Sequence, residues 1–128
     1  MKTNRILVVA FVFVWAISRA IAQDPLVAAP EMYRLLFENE RVRVMEVTFQ
    51  PGQKIAPHSH PDHYIYVAEA GTIRISKPDG TSTDAELQVG QVLWIPAETH
   101  WAENIGTTKV RLIVNELKDT AVKIAESP

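Results

Sequence analysis

The sequence contains no cysteine among its 128 residues. This absence excludes disulfide bonds, thiolate nucleophiles, zinc ribbons and iron–sulfur clusters. Any metal site must therefore use nitrogen and oxygen ligands, and the fold must be stabilised by a hydrophobic core. With 47% hydrophobic and 22% charged residues, the composition is typical of a globular protein of one domain.

The sequence also lacks an excess of positive charge. It has 13 basic and 15 acidic residues, which gives a formal net charge of −2 with histidine neutral. No run of lysine or arginine suggests a basic surface, so nucleic acid is not expected as a partner.

One long apolar run is present, from Ile6 to Ile17, and it follows the basic residues Lys2 and Arg5. Ala20-Ile21-Ala22 then places small residues where a signal peptidase cuts. The run is short for a membrane span, so we predict a signal peptide over residues 1–22, with an uncleaved anchor as the alternative. The mature chain would start at Gln23, have no membrane attachment, and be periplasmic or secreted.

After residue 22 the sequence predicts no helix of ordinary length. Short β-branched segments with a period near two alternate with turn residues, among them the hairpin signal Lys77-Pro78-Asp79-Gly80. This pattern predicts an all-β domain over residues 32–118, an antiparallel sandwich or barrel, after an arm at 23–31 and before a tail at 119–128. The expected strands are 33–37, 42–49, 55–60, 64–70, 72–76, 82–87, 92–95, 101–105 and 110–117.

Three of the four histidines lie between positions 58 and 63. Because residues i and i+2 of a strand share a face, His58 and His60 could both reach one ion at about 2.0–2.1 Å. His100 lies on a different strand, after a turn at residues 96–99, and could approach the pair across a barrel. An isolated pair of this kind can also be two exposed residues at a sheet edge.

The spacing of these residues resembles the two motifs of the cupin superfamily, and in particular its small single-domain members. The resemblance implies a double-stranded β-helix of jelly-roll type, a metal site inside the barrel with His58, His60 and His100 as ligands, and frequently a homodimer. Tyr64 occupies the position at which the family pattern has a glutamate ligand. The matching residues are Gly52, His58, His60, Tyr64 and Gly71 for the first motif, and Gly90, Pro96, His100 and Asn104 for the second.

If strand alternation continues past residue 61, Tyr64 lies on the inner face and His63 does not. Tyr64 is then the candidate catalytic residue, with three possible roles: a phenolate ligand, an acid or base toward substrate, or a packed side chain. Asp62 could add a carboxylate but lies in an expected turn. Glu98 and Glu103 are expected to be exposed.

The candidate pocket wall consists of Arg43, Met45, Tyr66 and Trp94, together with Phe49 and Trp101. Each of these could instead be ordinary core or surface. Arg43 alternates with Met45 and Phe49 along one strand. If that face points inward, its guanidinium could bind an anionic substrate.

Three neutral imidazoles leave a divalent ion its full double charge, which favours a small anionic ligand that chelates through two oxygens. Nitrogen ligands admit Fe²⁺, Mn²⁺, Co²⁺, Ni²⁺, Cu²⁺ or Zn²⁺, and three of them leave positions for substrate and for water or dioxygen. We predict a metal-dependent oxygenase, lyase or isomerase. The alternatives are a non-catalytic module that binds a metal or a small ligand, and a barrel that has lost its metal.

Overall fold

The computed structural model describes residues 22–119. The predicted signal peptide, except Ala22, and the predicted tail beyond Asp119 lie outside the described residues. Within this range no helix is long and apolar enough to cross a membrane. The elements in chain order are α1 (Pro25–Ala28), β1 (Tyr33–Glu38), β2 (Val42–Phe49), β3 (Lys54–His60), β4 (His63–Glu69), β5 (Gly71–Ser76), β6 (Ser82–Leu87), β7 (Val92–Ile95), β8 (Glu98–Asn104) and β9 (Val110–Leu117).

The all-β prediction is confirmed, and each of the nine expected strands has a counterpart. The largest difference is at β8, which begins at Glu98 rather than at residue 101. His100 therefore lies within a strand rather than directly after a turn. The predicted arm contains one short helix, which Asp24 caps through a hydrogen bond from the backbone N–H of Leu26.

The strands form two antiparallel sheets. One has the order β1-β2-β9-β4-β7 and the other the order β3-β8-β5-β6. Strands β2 and β9 alternate between buried and half-buried residues, so that one face of each points into the space between the sheets. The core lies in that space and includes Met45, Val47, Phe49, Val110, Leu112 and Val114.

Strand β3 departs from regular alternation at a β-bulge between Ile55 and His58. Ala56 and Pro57 are both exposed, whereas Ile55 and His58 are both buried. The extra residue thus allows two side chains three positions apart to point into the same core. The bulge sets the orientation of both histidines of this strand, since His60 follows His58 by two.

Two glycines of the motif pattern have clear structural reasons. Gly52 has φ = +80°, in the left-handed region, where it forms the turn between β2 and β3. Gly71 has no such angle, but a Cβ at this position would overlap the side chain of Val110, which is fully buried. Strand β5 therefore begins where the chain passes closely over β9.

Candidate metal centre

Three buried histidines converge inside the barrel. Strand β3 supplies His58 and His60, and β8 supplies His100, which is the direct cross-strand partner of His58. The exposed fractions of the three residues are 0%, 5% and 6%. One ring nitrogen from each lies within 4.8 Å of those of the other two. The structure therefore brings together the three predicted ligands as a group that could hold a metal ion.

Each of these imidazoles uses its Nδ1 atom to bind an oxygen that can only accept. His58 Nδ1 lies 2.8 Å from the carbonyl oxygen of Ala56, and His60 Nδ1 lies 2.6 Å from Oε1 of Glu116. His100 Nδ1 lies 2.6 Å from Oε1 of Glu98. Because carbonyl and carboxylate oxygens accept hydrogen bonds, Nδ1 is the protonated nitrogen in each ring. Each Nε2 then carries a free lone pair, as a metal ligand requires.

The Nε2 atoms of His58 and His100 lie 3.1 Å apart. Two nitrogen atoms that both lack a proton cannot form a hydrogen bond with each other at this distance. A cation bound between them would instead be attracted to both lone pairs. Two bonds of 2.0–2.1 Å separated by 90–110° place the nitrogens about 2.8–3.4 Å apart. The observed distance thus fits two ligands of one transition-metal ion.

Burial controls the ionisation of these rings. It lowers the pKa of His58 from 6.5 to about 4, although the hydrogen bond to Ala56 acts in the opposite direction. Burial also lowers the pKa of His60 and of His100, against the opposing effects of Glu116 and Glu98 respectively. All three imidazoles are therefore neutral near pH 7 and compete weakly for protons, which favours binding of a metal.

Glu116 connects His60 to two further charged residues. Its Oε1 accepts from His60, and its Oε2 accepts from Arg43 Nε at 2.7 Å. Arg43 also pairs with Asp24, whose Oδ2 lies 2.6 Å from Nη1. Burial alone would raise the pKa of the Glu116 carboxyl, but the hydrogen bonds from His60 and Arg43 outweigh it and lower that pKa. Glu116 is therefore an anion in the barrel interior, 2% exposed.

Glu98 has the same role beside His100, so the expectation that it is an exposed residue was wrong. Its side chain is only 16% exposed. Because strand β8 begins at Glu98, residues 98 and 100 lie on the same face of the strand, and the carboxylate lies beside His100. The other carboxylate oxygen pairs with Lys77 Nζ at 2.9 Å. Glu103 was also expected to be exposed, but its side chain is half-buried and lies 3.5 Å from Lys54.

His63 is buried, contrary to the expectation that it would point away from the site. Its exposed fraction is 2%, and its ring centroid lies 4.6 Å from that of His60. The Pro61–Asp62 connection carries the chain from one sheet to the other and shifts the alternation by one residue. His63 Nδ1 donates to the carbonyl oxygen of Pro61, and its side chain lies beside the three-histidine group without being part of it.

The same shift places Tyr64, Tyr66 and Trp94 on the outer face of their sheet, where they are 37%, 41% and 56% exposed. Tyr64 and Trp94 are cross-strand partners there. The predicted inward orientation of Tyr64 was therefore wrong, as was the prediction that Tyr66 and Trp94 line the pocket. Asp62 is exposed, as expected for a turn, and its Oδ1 accepts from the Ala97 backbone N–H.

The remaining pocket candidates also need correction. Arg43 lies beside the site, but its guanidinium is held by Glu116 and Asp24 and is not free to bind an anionic substrate. Met45 is fully buried and packs in the core without lining the cavity, and Trp101 lines a groove on the outside. Phe49 does line the cavity.

A cavity of about 60 Å³ lies next to the histidines. Its polar wall consists of His60, His63, His100 and the side chain of Tyr33. Burial, with a contribution from the negative charge of Glu116, raises the pKa of the Tyr33 phenol, so that the hydroxyl stays protonated. The rest of the wall is apolar and includes Val47, Phe49, Ile65, Ile73, Leu112 and Val114.

Sequence reasoning missed Tyr33 and Glu116. The alternation of β9 contains a signal for Glu116, because a charged residue follows Leu112 and Val114 at the next inward position. A carboxylate on such a face must be paired, and this points to a site. Tyr33 has no comparable signal, because it begins an edge strand whose other residues are all exposed.

Two facing antiparallel sheets around a buried histidine centre define a small jelly-roll barrel. A cupin domain model matches residues 45–115, and the chain belongs to this family. No curated protein matches the chain.

Among solved structures, a cupin domain from Bordetella pertussis Tohama I is 27% identical with a TM-score of 0.64, covering 68% of this chain and 92% of that one. The polyketide cyclase RemF from Streptomyces resistomycificus is 25% identical with a TM-score of 0.53, over 66% of this chain and 63% of its own. An RmlC-like cupin with a double-stranded β-helix fold from Methanocaldococcus jannaschii is 14% identical with a TM-score of 0.56, over 66% and 77%, and supports the fold alone.

Proposed function

We propose that this protein binds one divalent transition-metal ion through His58, His60 and His100 and uses it to act on a small oxygen-rich anion. The observation that carries the proposal is the convergence of three buried imidazoles whose Nδ1 atoms are all engaged, which leaves three Nε2 lone pairs for one ion. A bound metal would supply Lewis acidity and open coordination positions. Oxygenase chemistry and lyase or isomerase chemistry both suit such a centre.

Charge and cavity together describe the ligand. The two carboxylates nearest the centre are each paired with a cation as well, Glu116 with Arg43 and Glu98 with Lys77. They therefore offset the charge of a metal ion only in part, and an anion would complete the balance. Since most of the cavity wall is apolar, the ligand should combine a chelating pair of oxygens with a small apolar body, as an enolate, a catecholate or a carboxylate does.

The test begins with metal analysis of the purified protein. We expect about one equivalent of metal in the wild type, and loss of it in the variants His58→Gln and His100→Gln. His63→Gln is the matched control, because His63 is as buried as the ligands but lies outside the group. Turnover is then screened on β-diketones, catechols and sugar acids, with and without metal. Activity that is unchanged in metal-free protein would contradict the proposal.

A non-catalytic binding module is the second candidate. It is favoured by the engagement of both neighbouring carboxylates in hydrogen bonds to imidazoles, which leaves neither one free as a general base. The same substrates separate the two candidates when binding is measured beside turnover. A compound that binds with metal-dependent affinity and is never converted would support the binding module.

We further propose export and dimerisation. The mature protein would begin at Gln23 and be periplasmic or secreted. The N-terminal mass of the protein exported by its host tests this proposal.

For the dimer we propose the exposed outer face of β4 and β7, where Tyr64 pairs with Trp94. Trp94→Glu should shift the mass in light scattering from dimer to monomer, whereas Val27→Glu, at a residue 65% exposed on α1, should not.

A further inference from the structure

The N-terminal arm, residues 23–31, contacts the candidate metal centre at two places. Gln23 forms a parallel bridge with His58, and its carbonyl oxygen accepts from the backbone N–H of Ser59 at 3.0 Å. Ser59 lies between the two ligands of β3. The arm thus runs along the outside of the bulged segment that orients both imidazoles.

The second contact is a line of alternating charges. Asp24 Oδ2 lies 2.6 Å from Arg43 Nη1, and Arg43 Nη2 lies 2.7 Å from Glu116 Oε2. The opposite oxygen of Glu116 accepts from His60 Nδ1. Asp24 and His60 are thereby joined through two side chains, and each of the three connections is charged or charge-assisted.

We infer that Asp24 is a positioning residue for the metal ligand His60, acting through Arg43 and Glu116, and that docking of the N-terminal arm strengthens metal binding. The inference rests on the proposed metal function and extends it to a segment that does not line the cavity.

The physical reason is that Asp24 and Glu116 both bind the guanidinium of Arg43. With Asp24 in place, the guanidinium is held by two carboxylates at once and is only 15% exposed, so its orientation is fixed. Fixed in this way, it holds Glu116 in the position from which the carboxylate accepts from His60. Without Asp24, Arg43 can turn toward solvent or pair more fully with Glu116, and either change weakens the orientation of the imidazole.

Coupling of this kind is reciprocal. If arm docking raises the affinity for metal by a given factor, metal must stabilise the docked arm by the same factor. The arm is also held by apolar contacts, since Ala29 is part of the core and Pro25, the first residue of α1, is buried. Bound metal should therefore further stabilise the docked position of an arm that is already held in place.

The test compares Asp24→Asn with the wild type. Asparagine caps a helix about as well as aspartate, so the variant removes the charge and can still accept the hydrogen bond from the Leu26 backbone N–H through its Oδ1. We expect Zn²⁺ affinity, measured by competition with a chelator, to fall about three- to tenfold, less than the ten- to hundredfold expected for Glu116→Gln beside the ligand. Glu46→Gln is the control, because Glu46 pairs with Arg34 and Arg111 on the outer face of β2.

The double variant Asp24→Asn/Glu116→Gln separates positioning from a general loss of stability. If Asp24 acts through Glu116, the double variant should bind Zn²⁺ about as weakly as Glu116→Gln alone. Two further readouts follow the same coupling. The Cu²⁺ EPR parameters of Asp24→Asn should differ from those of the wild type, and Zn²⁺ should slow amide exchange over residues 26–29 in the wild type more than in the variant.

The outcomes are distinguishable. If Asp24→Asn binds Zn²⁺ with wild-type affinity and an unchanged Cu²⁺ spectrum, or if its effect adds fully to that of Glu116→Gln, the inference is overturned while the proposed function stands. If the wild type itself binds no metal, the proposed function fails and the inference fails with it.

Discussion

Glu98 and His100, two residues apart on β8, are joined by a hydrogen bond of 2.6 Å from the imidazole Nδ1 to the carboxylate Oε1. A carboxylate in this position holds a ligand ring in one orientation and makes its other nitrogen more basic. We predict that Glu98→Ala weakens Zn²⁺ binding by about ten- to hundredfold. Lys77→Met, which removes only the exposed partner of Glu98, should change affinity much less. Equal affinities of Glu98→Ala and wild type in chelator competition would argue against the orienting role.

Metal should stabilise the fold, because the ligand arrangement exists only in the folded barrel. At a free metal concentration one hundred times Kd, the gain in unfolding free energy is about 2.7 kcal/mol. Thermal melts with a chelator and with added Zn²⁺ should therefore differ by several degrees in the wild type. A melting temperature of His58→Gln that still rises to the same extent would place the binding elsewhere.

The metal-free protein should lose stability as the solution becomes mildly acidic. His58 takes up a proton near pH 6.5 when unfolded but only near pH 4 when folded. Between these values the unfolded chain binds more protons, so the unfolding free energy falls as pH falls, by up to about 3 kcal/mol for this residue. Urea unfolding in chelator at pH 7.5 and pH 5 measures the effect. His58→Gln should show a shallower dependence on pH, and an equal slope would assign the effect to other groups.

Asn104 is expected to matter for stability rather than for metal. Its side-chain amide donates to the carbonyl oxygens of Phe49 and Thr108 and accepts from the Gly106 N–H, and the residue is 1% exposed. Asn104→Ala removes these three hydrogen bonds from a buried position, so we predict a loss of about 3 kcal/mol. Asn115→Ala, at a half-buried position of β9, is the comparison. Urea unfolding measures both variants, and similar small losses would show that the amide contributes little.

Filling the cavity should separate ligand binding from metal binding. Ala102 lines the cavity from β8 and is 4% exposed. Ala102→Leu adds bulk there, at a cost in stability of about 1–3 kcal/mol. We expect the variant to keep its metal in elemental analysis and to lose much of its affinity for acetate, a chelating anion small enough for a cavity of about 60 Å³. Unchanged acetate titrations would place the ligand outside this cavity.

The sequence predicted the nine strands, because β-branched alternation and turn residues are local signals, and the resemblance to the cupin motifs predicted the three-histidine group. It did not predict which face of the sheet a residue occupies once the chain has passed a bulge or a connection between the two sheets. Strict alternation from the buried Ile55 would place His58 outside, and alternation from His60 would place His63 outside. The bulge keeps His58 inside, as predicted, whereas the sheet-to-sheet connection turns His63 inward, against the expectation. Both depend on pairing with distant strands, which no local pattern contains.

The sequence did not predict the carboxylates that orient the histidines, for a different reason. Glu116 lies 56 residues from His60 in the chain. Their contact depends on two sheets closing face to face. Glu98 was within reach of sequence reasoning, since it precedes His100 by two, but this required β8 to begin before the histidine.

The outward position of Tyr64 has a practical consequence for anyone who wishes to rebuild this centre. The family pattern would suggest Tyr64→Glu as the way to add an acidic ligand, but a carboxylate there would project into solvent beside Trp94. The inward-facing neighbour of His60 on β4 is His63. Protein engineering that seeks a mixed nitrogen and oxygen donor set should therefore begin with His63→Glu, and motif alignments of this chain should be anchored on side-chain direction rather than on letter spacing.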